Sequence, residues 1–170
     1  QSFSSWPRPR PSVRARSILI VSSYSPNLRN FLEKISMQTF DEFLAVARQQ
    51  PEPQRLLLVF AKAGIEADAT PAERAAFERG EGGVLSPAVC VDRLPEEVGS
   101  FGSLLEESTQ AIEHWDILFV ATMDGRGGHV PNSDEAVQPL RMMVEQIKGG
   151  RVSQLLAVDR SGSLVMLDRS

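Results

Sequence analysis

The chain has 170 residues, of which 42% are hydrophobic and 24% charged, and its net charge is −4 at neutral pH. That length allows one domain with a real core, and that composition is typical of an ordinary soluble globular protein. No stretch approaches the roughly 18 consecutive apolar residues that would indicate a membrane span. The single cysteine, Cys90, excludes an internal disulfide framework and a multi-cysteine zinc site. It fits the reducing cytoplasm, where we expect this protein to be located.

The charge is unevenly distributed along the chain. Residues 1–36 contain six bases and one acid, a net charge of +5, so the remainder carries −9. The acidic remainder, residues 37–170, repels polyanions and is therefore a poor general binder of nucleic acid. The basic segment offers Phe3, Trp6 and Tyr24 as stacking groups but contains no recognisable RNA-binding module. We therefore predict no nucleic-acid partner except through this segment, and no membrane partner.

Residues 1–36 also lack a core-forming pattern. The stretch SSWPRPRPSVRAR alternates Pro with Arg, which favours an extended, solvated chain. The apolar run SILIV is shorter than the roughly 7–15 residues of a secretory core, although an acid-poor, Arg- and Ser-rich composition is also typical of a transit peptide. We expect either a disordered arm or translated upstream sequence, with natural synthesis beginning at Met37.

Residues 37–170 have the pattern of a single α/β domain. TFDEFLAVARQQ predicts an amphipathic helix, with Thr39 as N-cap and Glu42 completing a capping box. The continuous apolar run Arg55–Ala63 is typical of a strand buried on both faces. TPAERAAFERG predicts a short helix capped by Thr70, with proline at its first position. LSPAVCVD predicts a second strand, whose proline favours a sheet edge.

The second half of the chain alternates in the same way. PEEVGSFGSLLEESTQAI predicts a helix weakened by two glycines, and DILFVATM is the clearest strand. SDEAVQPLRMMVEQIKGG predicts a helix that begins near Ser133 and bends near Pro139. RSG between two apolar stretches predicts a C-terminal hairpin. Because strands separated by helices favour βαβ crossovers, the expected fold class is α/β: a mixed, mainly parallel sheet with packed helices and a C-terminal β-hairpin.

Four segments of the sequence resemble those of a known protein family: QPEPQRLLLVFAKA, GGVLSPAVCVDRLPEE, WDILFVATMDGRGG and LLAVDRSGSLVML. Over about residues 37–167 the chain resembles a family of short, uncharacterised bacterial proteins that often carry the label "ribonucleotide reductase subunit alpha". That subunit needs one cysteine for a thiyl radical and a further pair to supply electrons, whereas this chain has Cys90 alone. The chain is also far too short for the barrel that houses those groups. Catalysis of that reaction is excluded, and a role as a small partner of such an enzyme stays open.

The junction between the third strand and the last helix is the main candidate site. Loops at the carboxyl ends of parallel strands often bind ligands, and glycines let the backbone approach a phosphate. The stretch is neither G-x-G-x-x-G nor G-x-x-x-x-G-K-[ST], and Asp134 and Glu135 would repel an anion. A flexible connection is therefore the simpler interpretation. The six candidate ligand-binding residues are Asp124, Gly125, Arg126, Gly127, Gly128 and His129.

Cys90 and the two histidines offer little catalytic chemistry. Cys90 lies within a predicted strand, where cysteine usually behaves as a small buried hydrophobe, so Cys90→Ser is expected to cost stability rather than activity. His129 is a better candidate than His114, because loops carry function. His129 with Asp124 nevertheless falls short of a metal site. We predict no catalytic residue, no metal and no cofactor.

The expected function is that of a small, non-catalytic protein that acts through an interaction surface. Its partner would be another protein or a second copy of the chain. The alternative is a small-molecule or nucleotide-phosphate binder, or an enzyme acting on such a ligand, that uses Asp124, Arg126 and His129 at the strand end. RNA binding through residues 1–36 is a third hypothesis.

Overall fold

The computed structural model describes residues 37–65, 67–79, 84–152 and 155–165. The interpretations of residues 1–36 as an arm or as upstream sequence lie outside these residues. The described part contains five helices: α1 (Phe40–Arg48), α2 (Pro71–Glu78), α3 (Pro95–Val98), α4 (Phe101–Ala111) and α5 (Ser133–Lys148). It also contains five strands: β1 (Gln54–Gly64), β2 (Val84–Arg93), β3 (Ile117–Asp124), β4 (Leu156–Val158) and β5 (Leu164–Val165). None of these helices is long and apolar enough to cross a membrane.

The five strands form one sheet in the order β2-β1-β3-β4-β5. Every neighbouring pair in that sheet is antiparallel. The prediction of a mixed, mainly parallel sheet was therefore wrong. Helices packed on a sheet and the C-terminal hairpin, formed by β4 and β5, are present as expected.

The parallel sheet was predicted wrongly because the helical segments between the strands are not βαβ crossovers. α2 lies between β1 and β2 in the chain but buries no residue. It is therefore part of an exposed connection between two neighbouring antiparallel strands. The chain then passes through α3 and α4, and β3 pairs with the opposite edge of β1. A continuous apolar run indicates that both faces of a strand are covered, but it does not encode the direction of the neighbouring strands.

Alternate side chains of β1 enter two separate cores, one on each face of the sheet. Leu56, Leu58 and Phe60 belong to the first core, which also contains residues of α1, α3 and α4. Leu57 and Val59 belong to the second core, on the face that α5 covers. Both cores use completely buried positions of β1, which explains its unbroken apolar sequence. The α5 side chains in the second core are Ala136, Met143 and Ile147.

The N-cap predictions for α1 and α2 are confirmed. Thr39 and Thr70 each accept a hydrogen bond from the third helical amide, and the carboxylates of Glu42 and Glu73 accept from the cap amides. The Thr70 amide and hydroxyl bonds stabilise the ionised carboxylate and lower the pKa of Glu73 below its ordinary value. Because the folded-state pKa is lowered, this contribution to α2 is present at neutral pH and is lost as the pH falls through that pKa.

The two N-cap threonines allow a matched comparison, because α1 buries five residues and α2 buries none. Thr39→Ala should lower the free energy of unfolding by about 1 kcal/mol, since it removes the acceptor for a first-turn amide of a buried helix. Thr70→Ala removes the same bond from α2 and should change global unfolding by less than about 0.5 kcal/mol, since an exposed helix opens locally. Urea denaturation followed by circular dichroism measures both changes. Equal losses in the two variants would contradict this difference between the helices.

Candidate functional site

The glycine-rich stretch after β3 forms a defined two-residue hairpin, whereas the sequence favoured a flexible connection. Arg126 and His129 exchange two backbone hydrogen bonds, with N–O distances of 3.0 and 2.9 Å. Gly127 and Gly128, between them, have φ angles of +57° and +82°. A type I′ turn requires positive φ at both central positions, so this glycine pair selects the turn. We call residues 126–129 the strand-end hairpin.

Gly125 is required for a different reason, which is a close approach of two backbone segments. Its amide donates to the Pro53 carbonyl oxygen, 2.7 Å away. A Cβ at this position would overlap the carbonyl oxygen of His129 and lie 2.9 Å from that of Pro53. The Gly128 amide also donates to Glu52 Oε1 at 2.8 Å. The strand-end hairpin is therefore held against the residues that lead into β1.

A mostly buried ion pair holds the segment between the hairpin and α5. Arg55 Nη1 lies 2.6 Å from Asp92 Oδ2, and the two side chains are only 11% and 20% exposed. Arg55 Nε also donates to the Pro131 carbonyl oxygen, and the Ser133 hydroxyl donates to Asp92 Oδ2 at 2.8 Å. β1 and β2 thereby hold the two residues that flank Asn132, the N-cap of α5. The predicted start of this helix near Ser133 is confirmed.

Sequence reasoning missed this ion pair. Arg55 opens one predicted strand and Asp92 closes another, so opposite charges at the ends of two apolar runs were the available signal. Using that signal requires the register of β1 and β2, in which Asp92 lies opposite Leu57. Register depends on contacts that are distant in sequence, so the pattern of either strand alone does not give it.

The strand-end hairpin and the first turn of α5 border a cleft of about 510 Å³. Four of the six predicted site residues line this cleft; they are Asp124, Gly125, Arg126 and His129. Gly127 and Gly128 form the turn itself and are not part of the lining. The remaining lining residues, which the sequence analysis did not select for binding, are Met123, Val130, Pro131 and Glu135.

The charged groups around the cleft differ in whether their side chains have hydrogen-bond partners within the protein. Gln54 Nε2 donates to Asp124 Oδ1 at 2.6 Å, and Glu135 belongs to the capping box of α5. Across the described ranges, the side chains of Arg126 and His129 make no hydrogen bond or ion pair, and both residues are exposed. The cleft thus combines a guanidinium and an imidazole that have no partner among the described residues with two carboxylates that have intramolecular partners.

Cys90 is exposed, so the interpretation of this residue as a buried hydrophobe was wrong. The reason is that β2 is the edge strand of the sheet, which leaves its side chains less covered than those of β1.

The two histidines lie on other elements: His129 is in the hairpin, and His114, before β3, contacts Asp116 through Nε2 at 3.0 Å. In the part of the chain that the structure describes, no three His, Cys, Asp or Glu residues form a group that could hold a metal ion.

No protein-family model, curated protein or solved structure matches this chain. The resemblance to a bacterial family over residues 37–167 therefore stays a prediction.

Gly125 and Arg126 are neighbours in the cleft, but their substitutions should have different effects on stability. Gly125→Ala should lower the free energy of unfolding by about 1–3 kcal/mol, because the added methyl group forces two packed backbone segments apart. Arg126→Ala and His129→Ala should change it by less than about 0.5 kcal/mol, because both side chains are exposed and have no partner among the described residues. Urea denaturation of the three variants measures these values. A neutral Gly125→Ala variant would contradict the close approach of the hairpin to Pro53.

Proposed function

We propose that this chain is a non-catalytic binding protein that acts through an interaction surface, centred on the cleft beside the strand-end hairpin. The main support is that exposed Arg126 and His129 lie at a cleft of about 510 Å³ without intramolecular partners for their side chains among the described residues. A tight turn holds their backbone in one conformation, so binding costs less conformational entropy than it would on a flexible loop. The single cysteine supports a cytoplasmic location as part of this proposal.

The charges around the cleft favour a segment of a partner protein over a phosphorylated ligand. Arg126 and His129 can donate hydrogen bonds to a backbone carbonyl or a single carboxylate of the partner. Asp124 and Glu135 line the same cleft and repel a multiply charged phosphate. A peptide also carries apolar side chains, which would contact the apolar part of the lining. That part consists of Met123, Pro131 and Val130, which is 39% exposed.

A small-molecule binder is the second candidate function. The cleft volume of about 510 Å³ lies within the roughly 300–1,000 Å³ that is typical of small-ligand sites. Such a ligand would use the same residues: Asp124, Arg126 and His129. The two candidates therefore differ in the nature of the bound species, and an experiment must identify that species.

Affinity capture of the full chain from the cells that produce it tests the proposal. The control is the double variant Arg126→Ala, His129→Ala, which should fold normally because both side chains are exposed. Mass spectrometry of captured proteins and small molecules should find a protein that the unmodified chain retains and the double variant loses. Equal capture of every protein by both chains would contradict the proposal.

Thermal unfolding with added nucleotides and sugar phosphates tests the second candidate. A ligand at 100 times its dissociation constant stabilises the native state by about 2.7 kcal/mol. We expect no such stabilisation, because two carboxylates line the cleft. A clear increase in melting temperature that disappears in Arg126→Ala would favour the small-molecule binder over the partner protein.

A further inference from the structure

The outer edge of β2 has no neighbouring strand among the residues that the structure describes. Among the described strands, β2 pairs with β1 alone, and an edge of this kind presents unpaired backbone N–H and C=O groups to another strand. Two features interrupt the first half of β2: Pro87 lacks an amide hydrogen, and the register with β1 shifts at Ala88. The regular part of the open edge is therefore residues 88–93.

Both faces of this regular part are accessible beside the edge. Cys90 lies opposite Val59, on the face that α5 covers, yet it is exposed, so its side chain is accessible although α5 packs against β2. On the other face, Val89 and Val91 are only half-buried. They line an apolar groove between β2 and α4, together with Leu104, Ala111 and Ile112.

We propose that two copies of this chain pair through their β2 edges, as an antiparallel dimer whose two-fold axis passes beside Cys90. In this register Val89 of each copy lies opposite Val91 of the second copy, and Cys90 lies opposite Cys90. A two-fold interface must be complementary to itself, and this pairing meets that requirement with two valine pairs on one face. The valines of the second copy would then extend the apolar surface beside α4.

The sequence of β2 favours this register over its neighbours. Moving the axis to Val89 places Val91 opposite Pro87, which has no amide hydrogen to donate, whereas the axis beside Cys90 places Pro87 opposite Arg93, at the end of the paired stretch. Moving the axis to Val91 places Val89 opposite the charged Arg93. Cross-strand pairs of β-branched residues stabilise a sheet, and of these three arrangements the axis beside Cys90 alone pairs the two valines with each other.

The charges on β2 do not oppose the pairing. Asp92 forms its ion pair with Arg55, and Arg93 Nη2 lies 3.1 Å from Glu107 Oε2 of α4. Both charges are therefore compensated within one copy. A lysine or an inward-pointing uncompensated charge, which commonly protects an open edge from association, does not occur in residues 88–93.

Site-directed cross-linking of the full chain tests the register. Two variants are prepared with tags of different mass: Val89→Cys with Cys90→Ser, and Val91→Cys with Cys90→Ser. After oxidation with diamide, the mixture should give the cross-link between positions 89 and 91, at a yield at least about tenfold above that of either variant alone. Equal yields in all three samples, or no cross-link in any, would overturn the register.

Sedimentation velocity of the full chain tests the dimer itself. The unmodified protein should dimerise in the micromolar range, and Cys90→Lys should weaken the dimer at least about tenfold, because it places two like charges at the axis. Ala45→Lys is the control. Ala45 is exposed on α1, and the N-cap of that helix, Thr39, bridges to Ser163 beside β5, at the opposite end of the sheet from β2. This variant should dimerise normally. The proposal would be overturned if the unmodified protein were monomeric, as expected if residues 1–36 occupied the edge. It would also be overturned if the two lysine variants weakened the dimer equally.

Discussion

The ion pair between Arg55 and Asp92 connects the sheet to the segment that borders the cleft. Arg55 presents a planar guanidinium with several donors, so it binds the Asp92 carboxylate and the Pro131 carbonyl at the same time. Asp92 in turn accepts from the hydroxyl of Ser133, the first residue of α5. A buried ion pair adds little net stability over apolar packing, because both charges lose their hydration. We infer that the importance of this pair lies in positioning the start of α5.

The antiparallel sheet determines which residues support the strand-end hairpin. In the register of β1 and β3, Asp124 lies opposite Gln54, so the end of β3 meets the start of β1. The residues that lead into β1 are therefore adjacent to the hairpin. Glu52 accepts from the Gly128 amide, and the Pro53 carbonyl accepts from the amide of Gly125, the residue before the hairpin. In a parallel sheet the end of β3 would lie beside the end of β1, and these supports would be absent. The geometry of the cleft is thus a consequence of strand direction.

Features that depend on neighbours in sequence could be predicted, and features that depend on strand pairing could not. The caps at Thr39 and Thr70, the edge position implied by Pro87 and the start of α5 follow from local hydrogen bonding and from the missing amide hydrogen of proline. Strand direction and register depend on contacts between distant segments. That is why the parallel sheet was predicted wrongly, and why Cys90 was expected in the core although its strand lies at an edge.

The candidate site likewise has features that follow from local sequence and features that depend on strand pairing. Glycines at positions 127 and 128 are a local turn signal, and residues 124–129 were selected from sequence as the place where a ligand would bind. The support from Pro53 and the ion pair between Arg55 and Asp92 could not be predicted, because both depend on the pairing of distant strands. Sequence therefore selected the candidate loop, and the structure supplied the shape of the cleft and the intramolecular partners of its charges.

A double-mutant cycle on the free energy of unfolding tests the central role of the ion pair most directly. The three variants are Arg55→Met, Asp92→Asn and the combination of both. Each single variant leaves one mostly buried charge without its partner and should lose about 3–5 kcal/mol, whereas the combination leaves neither charge and should lose less than the sum of the two. If the two single losses were small and added to within about 0.5 kcal/mol in the combined variant, the residues would be acting independently. That result would contradict the account in which this pair holds the cleft segment to the sheet.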